Sequence, residues 1–128
     1  RLVLRGDFQS ESGYDAAQSL MSSPDPPTAL FAFNDLMAFG AITALCGMGV
    51  RVPEDVSVVG YDDIQLSSFF NPPLTTVSQP KKAMGRAAFA LLRERIADER
   101  MPTRSVTMSA RLVVRRSTAA AAAFGRGC

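Results

Sequence analysis

The apolar positions of this chain follow two rhythms: short unbroken runs, and longer stretches in which they recur every three or four residues. The plainest run, Val56-Ser57-Val58-Val59-Gly60-Tyr61, turns abruptly acidic at Asp62 and Asp63. A short, nearly continuous apolar run between turn residues reads as a strand covered on both faces, the habit of parallel sheets. Two other runs end alike: Leu2-Val3-Leu4 leads to Asp7 and Phe8, and Ala29-Leu30-Phe31-Ala32-Phe33 leads to Asn34 and Asp35. The helical rhythm lies between them. Ser10 is the expected N-cap of a helix over 11–21 whose inner stripe is Tyr14, Ala17, Leu20 and Met21, and Pro24, Pro26 and Pro27 stop it. Asn34 is placed to cap a second helix carrying Met37, Ala38, Ala41, Ala44, Leu45 and Met48, which Gly49 closes. Residues 52–55 read as a turn into the strand 56–61.

Beyond Asp63 the rhythm changes. Residues 66–73 form a loop with Phe69 and Phe70, closed by Pro72-Pro73, and Leu74-Thr75-Thr76-Val77 is β-prone. From about 81 to 98, Met84, Ala88, Leu91, Leu92 and Ile96 trace one face of an amphipathic helix. Val106, Met108, Ala110, Leu112 and Val114 alternate with mostly polar neighbours, the period of a one-sided strand. Strand, helix, strand, helix, strand is the signature of crossovers in a parallel sheet, so the fold class is α/β. Ligands of such sheets gather at the carboxyl ends of the strands. Three strands ending in short polar acceptors, two of them next to an aromatic, point to a polar small molecule held by hydrogen bonds and a ring face.

Composition narrows the chemistry. At 128 residues and 47% hydrophobic content the chain can bury one modest core. A formal charge of +2 with no basic stripe is no nucleic-acid footprint, and no segment is apolar and long enough to span a bilayer. The absence of histidine removes imidazole-based triads and histidine zinc sites within this chain. No glycine-rich phosphate loop and no nucleophile–base spacing stands out, so no catalytic residue, metal or cofactor is expected. Asp62 and Asp63 are adjacent, and strand geometry would point them apart rather than at one substrate. Cys46, at helical spacing among Ala, Leu and Met, is expected to be a buried structural thiol. Cys128 follows an alanine tract, and two cysteines make no disulfide framework, in keeping with a cytoplasmic protein.

Several motifs in order carry a family resemblance. Asn34-Asp35-Leu36-Met37-Ala38-Phe39-Gly40-Ala41, the stretch from Gly49-Val50-Arg51-Val52-Pro53-Glu54-Asp55 through Val59-Gly60-Tyr61-Asp62-Asp63, then Pro72-Pro73-Leu74-Thr75-Thr76-Val77, Gln79-Pro80 and Leu112-Val113-Val114-Arg115-Arg116-Ser117 resemble the LacI/GalR family of bacterial transcriptional regulators. The resemblance implies the periplasmic-binding-protein-like sandwich of two α/β lobes closing on a sugar, purine or nucleoside. Residues 1–118 would be a partial effector-binding domain, mainly the carboxyl-side lobe, with the helix 81–98 packing on the other lobe; 119–128 would be a disordered tail. Operator DNA would be contacted only by a helix-turn-helix headpiece outside these residues. Nearly all of the amino-side lobe and the first β-α unit of this lobe also lie outside them.

By the same resemblance Asp62 accepts hydrogen bonds from the effector and Phe8 stacks on it, and the Asn34 amide is able to donate and accept toward the same ligand. Each position also has a plainer reading: Asp62 as a solvated loop acid, Phe8 as a core aromatic and Asn34 as a helix cap. Asp35, at a helix start, is read as structural, and Asp63 as ordering the following loop. Phe39, Leu66, Phe69 and Phe70 resemble the family's homodimer surface, with core packing as the alternative. Two other function classes stay open, a solute-binding protein of a sugar transporter and, more weakly, an enzyme.

Overall fold

Residues Ala29–Phe31 (β1), Ser57–Asp62 (β2), Thr75–Ser78 (β3) and Arg111–Val113 (β4) form one sheet in that spatial order. The first three are parallel, with Phe31 opposite Val59 and Asp62 opposite Ser78. The computed structural model describes residues 2–100 and 102–120. They fall into two compact units, a larger one made of the chain up to Ser78 and again from Leu112, and a smaller one, Gln79–Arg111.

Two helices, Ser10–Met21 (α1) and Asp35–Gly47 (α2), belong to the larger unit. α2 is apolar nearly all round, so it is a buried helix rather than a surface one. Ala38, Phe39, Ile42 and Leu45 pack with Val56, Val58 and Leu74 into the core, while Ala41 and Ala44 meet Ala17 of α1. The two helices approach so closely that a Cβ on Gly13 would strike the Met37 backbone, and one on Gly40 the Ser10 carbonyl. Both ends of α2 are satisfied. The Asn34 side chain accepts from the Met37 amide, and Gly49, at φ 75°, lets the Val50 amide reach the Leu45 carbonyl at 2.9 Å. In the next turn Arg51 grips Asp55 through backbone and side chain, holding that carboxyl down at about 2.

The smaller unit contains Lys81–Ala97 (α3), close to the expected 81–98. None of its residues is buried, and Met84, Phe89, Leu92 and Ile96 are exposed. Arg104 pairs with Glu94 within this unit. No described helix is long and apolar enough to cross a membrane.

Several elements differ from expectation. Leu2-Val3-Leu4 is exposed and forms no strand, because apolar sequence makes a strand only where a ladder partner bonds to it. α1 begins one residue early: Ser10 is its first residue, Gln9 is the cap, and no side chain caps it. β1 ends at Phe31, although the Ala32 amide still donates to Val59 at 2.8 Å; beyond it Phe33 is exposed. Val56 and Leu74 lie just outside β2 and β3, and the loop 66–73 opens with a 3-10 turn, Gln65–Ser68. The alternating stretch 106–114 contracts to the three residues of β4. Cys46 is exposed rather than buried, since it falls on the outer side of the last turn of α2 while Ala44 and Leu45 take the inner side. Of the expected tail, residues 121–128 lie outside the described residues, as does Cys128, and Ala119 is tied to the Ser57 hydroxyl through its own amide and carbonyl.

Candidate functional site

The loop before α1 owes its shape to short polar side chains. The Gln9 amide donates to Asp7 Oδ1 at 2.9 Å, the Asp7 amide to Ser12 Oγ at 3.2 Å, and the Ser12 hydroxyl to the Gln9 carbonyl at 2.9 Å. The Ser12 hydroxyl and the Gln9 amide hold the Asp7 carboxyl below its ordinary range. Within this turn Phe8 takes a left-handed conformation, φ 67°, and leaves its ring 59% exposed. A bulky residue in that region is strained, and an exposed ring gains nothing from burial, so the surrounding hydrogen bonds hold the turn.

Asn34 does two jobs at once. Its Oδ1 accepts from the Met37 amide at 2.8 Å, and its Nδ2 donates to the Phe8 carbonyl at 2.8 Å. The cap of α2 and the Phe8 loop are therefore one construction, although 26 residues of sequence separate them. One donor hydrogen and one acceptor lone pair of the amide are not used by these two bonds.

Asp62 is the last residue of β2, half-buried and at φ 115°, and Asp63 follows at φ 53°. Counting forward three from the paired Phe31 and Val59 reaches Asn34 and Asp62, so both stand at the carboxyl ends of adjacent parallel strands. The structure thus joins Phe8 to Asn34 by a direct bond and puts Asp62 on the neighbouring strand at the same end of the sheet.

Beneath that end sits Asp35, a carboxylate only 1% exposed. Its Oδ2 accepts from the Ile64 amide at 2.9 Å and the Ser67 hydroxyl at 2.6 Å, and its Oδ1 from the Thr76 hydroxyl at 2.5 Å. Three donors satisfy a buried carboxylate and tie the start of α2 to the turn after β2 and to β3. Gly60 is required here, because a Cβ at that position would collide with Asp35 Oδ1 and come within 2.8 Å of the Leu74 side chain. Asp63 pairs with Arg115 at 2.7 Å, both side chains four-fifths covered. Ser117, fully buried, bridges the starts of β2 and β3: its hydroxyl donates to the Val58 carbonyl at 2.6 Å and accepts from the Thr75 amide at 2.8 Å.

At the edge of the core, Phe39 of α2 is 5% exposed and stacks on Phe70, ring centroids 4.4 Å apart and planes at 24°. Together with Tyr14, Leu36 and Leu66 they line an open groove of about 450 Å³. Leu66 and Phe69 are exposed, Phe69 to 76%. Core packing accounts for Phe39, whereas Leu66 and Phe69 have no such explanation. Among the described residues, no group of three or more Cys, Asp or Glu side chains is arranged to hold a metal ion.

Sequence reasoning missed Gly60, Ser67, Thr76 and Arg115. A double threonine inside a β-prone run was the available signal for Thr76, and Arg115 lay within a motif noted only for its likeness to the family.

A family model for the periplasmic binding protein-like domain matches residues 2–118. The chain belongs to that family, and within it to the LacI-type effector-binding domains. It is 48% identical over 117 residues to the HTH-type transcriptional repressor PurR of Salmonella arizonae, covering 91% of this chain and 34% of that protein. Among solved structures, the transcriptional regulator CelR in complex with cellobiose superposes with a TM-score of 0.82 at 42% identity, over 88% of this chain and 34% of that one. A LacI family transcriptional regulator from Enterococcus faecium with bound ribose gives 0.80 at 34% identity, over 91% and 42%. The chain spans about a third of the length of the curated relatives it matches. The parallel sheet fits the expected periplasmic-binding-protein-like class, and the relatives described are transcriptional regulators rather than transporter proteins or enzymes.

Proposed function

We propose that this domain is the carboxyl-side part of the effector sensor of a cytoplasmic LacI-type transcriptional regulator, and that its ligand is a polar ring compound, a sugar or a purine-like base. The observation that carries the reading is that Asn34 and Asp62 stand at the carboxyl ends of adjacent strands and Asn34 holds the Phe8 loop by a direct bond, in a family two of whose members hold cellobiose and ribose. In it Asp62 accepts hydrogen bonds from ligand hydroxyls or ring N–H groups, the Phe8 ring covers a ligand face, and Asn34 holds the Phe8 loop while offering its remaining donor and acceptor. No bond of the ligand is broken. Binding shifts an equilibrium between conformations of the whole regulator, and operator DNA is contacted by a headpiece outside these residues.

A two-fold operator calls for a two-fold protein. Leu66, Phe69 and the rim of Phe70 supply the apolar centre of a homodimer contact, with Phe39 supporting Phe70 from beneath. Operator retention by a full-length regulator carrying this domain tests the whole reading. Cellobiose, ribose or a purine base should change retention, and Phe69→Asp with Leu66→Asp should give a folded monomer that no longer retains the operator. Retention indifferent to every such compound, or a double variant that stays dimeric, would count against it.

A further inference from the structure

The turn after β2 is held in a conformation that its own residues do not favour. Asp62 and Asp63 are consecutive non-glycine residues at positive φ, 115° and 53°, a geometry that persists only where the surroundings enforce it. Three elements do so. The Ile64 amide is bound by Asp35 at 2.9 Å, the Asp63 amide reaches the Thr76 hydroxyl at a longer 3.4 Å, and Arg115 takes the Asp63 carboxylate at 2.7 Å. Asp35 and Thr76 are bonded to each other and buried, so they form one fixed support. Arg115 is a separate one. It arrives with the segment that re-enters the larger unit at Leu112, dozens of residues later in the chain.

The guanidinium is used as a spacer. Nη1 donates to the Leu74 carbonyl at 2.8 Å while Nη2 donates to Asp63 Oδ1, so one rigid plane fixes Asp63 relative to the residue that precedes β3. A lysine could reach one of these acceptors but could not hold both in a fixed relation. Both charged groups are four-fifths covered, which leaves the pair weakly screened by salt.

We propose that Arg115 is a positioning residue for the effector-facing end of β2: through Asp63 it sets the backbone that aims Asp62. The proposal rests on the reading of Asp62 as an effector contact, but its test does not need the effector. Arg115→Ala keeps the backbone amide that donates to the Thr75 hydroxyl at 2.9 Å, and Ser117 continues to bridge β2 and β3, so the segment stays docked.

Hydrogen exchange followed residue by residue on the full chain is the experiment. In Arg115→Ala the Asp63 and Ile64 amides should exchange about tenfold faster while those of Ile42 and Leu45 keep their rates, the pattern of local opening rather than global destabilisation. Asp63→Asn should reproduce the pattern, and Arg115→Lys should restore it only in part. Unchanged exchange at Asp63 and Ile64 in both Arg115→Ala and Asp63→Asn would overturn the proposal, as would an equal acceleration at Leu45. The site reading fails separately: effector binding insensitive to Asp62→Asn would remove Asp62 from the site and leave the exchange result standing.

Discussion

α2 and α3 are both regular helices of one chain, yet almost everything that stabilises the first is lacking in the second. α2 has an asparagine cap, an acid in its first turn, a glycine closing motif and eight buried residues. α3 follows Pro80 without a side-chain cap, puts Lys81 and Lys82 where the helix dipole favours acids, and buries none of its residues. Seventeen residues of helix with exposed Phe89, Leu92 and Ile96 are marginal in water on propensity alone. The difference teaches how much of a helix's stability comes from its packing. α2 is completed by this chain's own sheet, whereas α3 leaves Met84, Phe89, Leu92 and Ile96 exposed.

The largest effect should come from truncating matched leucines on the two helices. Leu45→Ala empties a fully buried site and should cost about 2 to 5 kcal/mol, whereas Leu92→Ala should stay within about 0.5 kcal/mol. Urea unfolding of the two variants makes the measurement, and equal losses would break the contrast. Next in size, Asn34→Ala removes the α2 cap and should cost about 1 kcal/mol, with a rise in mobility of the Phe8 loop visible by amide relaxation. Loss of stability without any change at Phe8 would mean that the cap and the loop are not one construction.

The smallest effect is a gain. Lys82→Glu puts an acid into the first turn of α3 and should raise helicity there, contributing about 0.3 to 1 kcal/mol at low salt. Circular dichroism at low and high salt would register it; a decrease in helicity would show that Lys82 has a partner that the helix needs.

Much of this was legible from residues alone, for reasons particular to each element. The run 56–61 gave β2 because it is apolar, too short for a helix and bounded by turn residues, although only alternate positions are fully buried, and Asn34 was recognisable as a cap because only a short side-chain acceptor can reach the amide of Met37. Leu2-Val3-Leu4 misled, since a strand is a relation between two segments and the run carries only half of it. Cys46 misled for a related cause: α2 is apolar around most of its circumference, so periodicity alone did not say which side was inner. The support under Asp62 was the least visible part. Asp35, Thr76 and Arg115 act through contacts spanning 29 to 52 residues, and nothing in local spacing announces a carboxylate whose donors come from the turn after β2 and from β3. Gly60 was visible as a residue but not as a necessity, because the atom that forbids a side chain there belongs to Asp35.

The functional claim stands or falls on Asp62. Asparagine matches aspartate in shape, so Asp62→Asn removes the charge and leaves the enforced backbone of the turn, φ 115°, no more strained than before. Calorimetric titration of a full-length regulator carrying this domain, first to find which of cellobiose, ribose or a purine base it binds and then with the variant, is the direct measurement. Binding should weaken by about 1.5 to 3 kcal/mol, one to two orders of magnitude in Kd. An unchanged Kd in a variant with unaltered circular dichroism would contradict the assignment of Asp62 to the effector site.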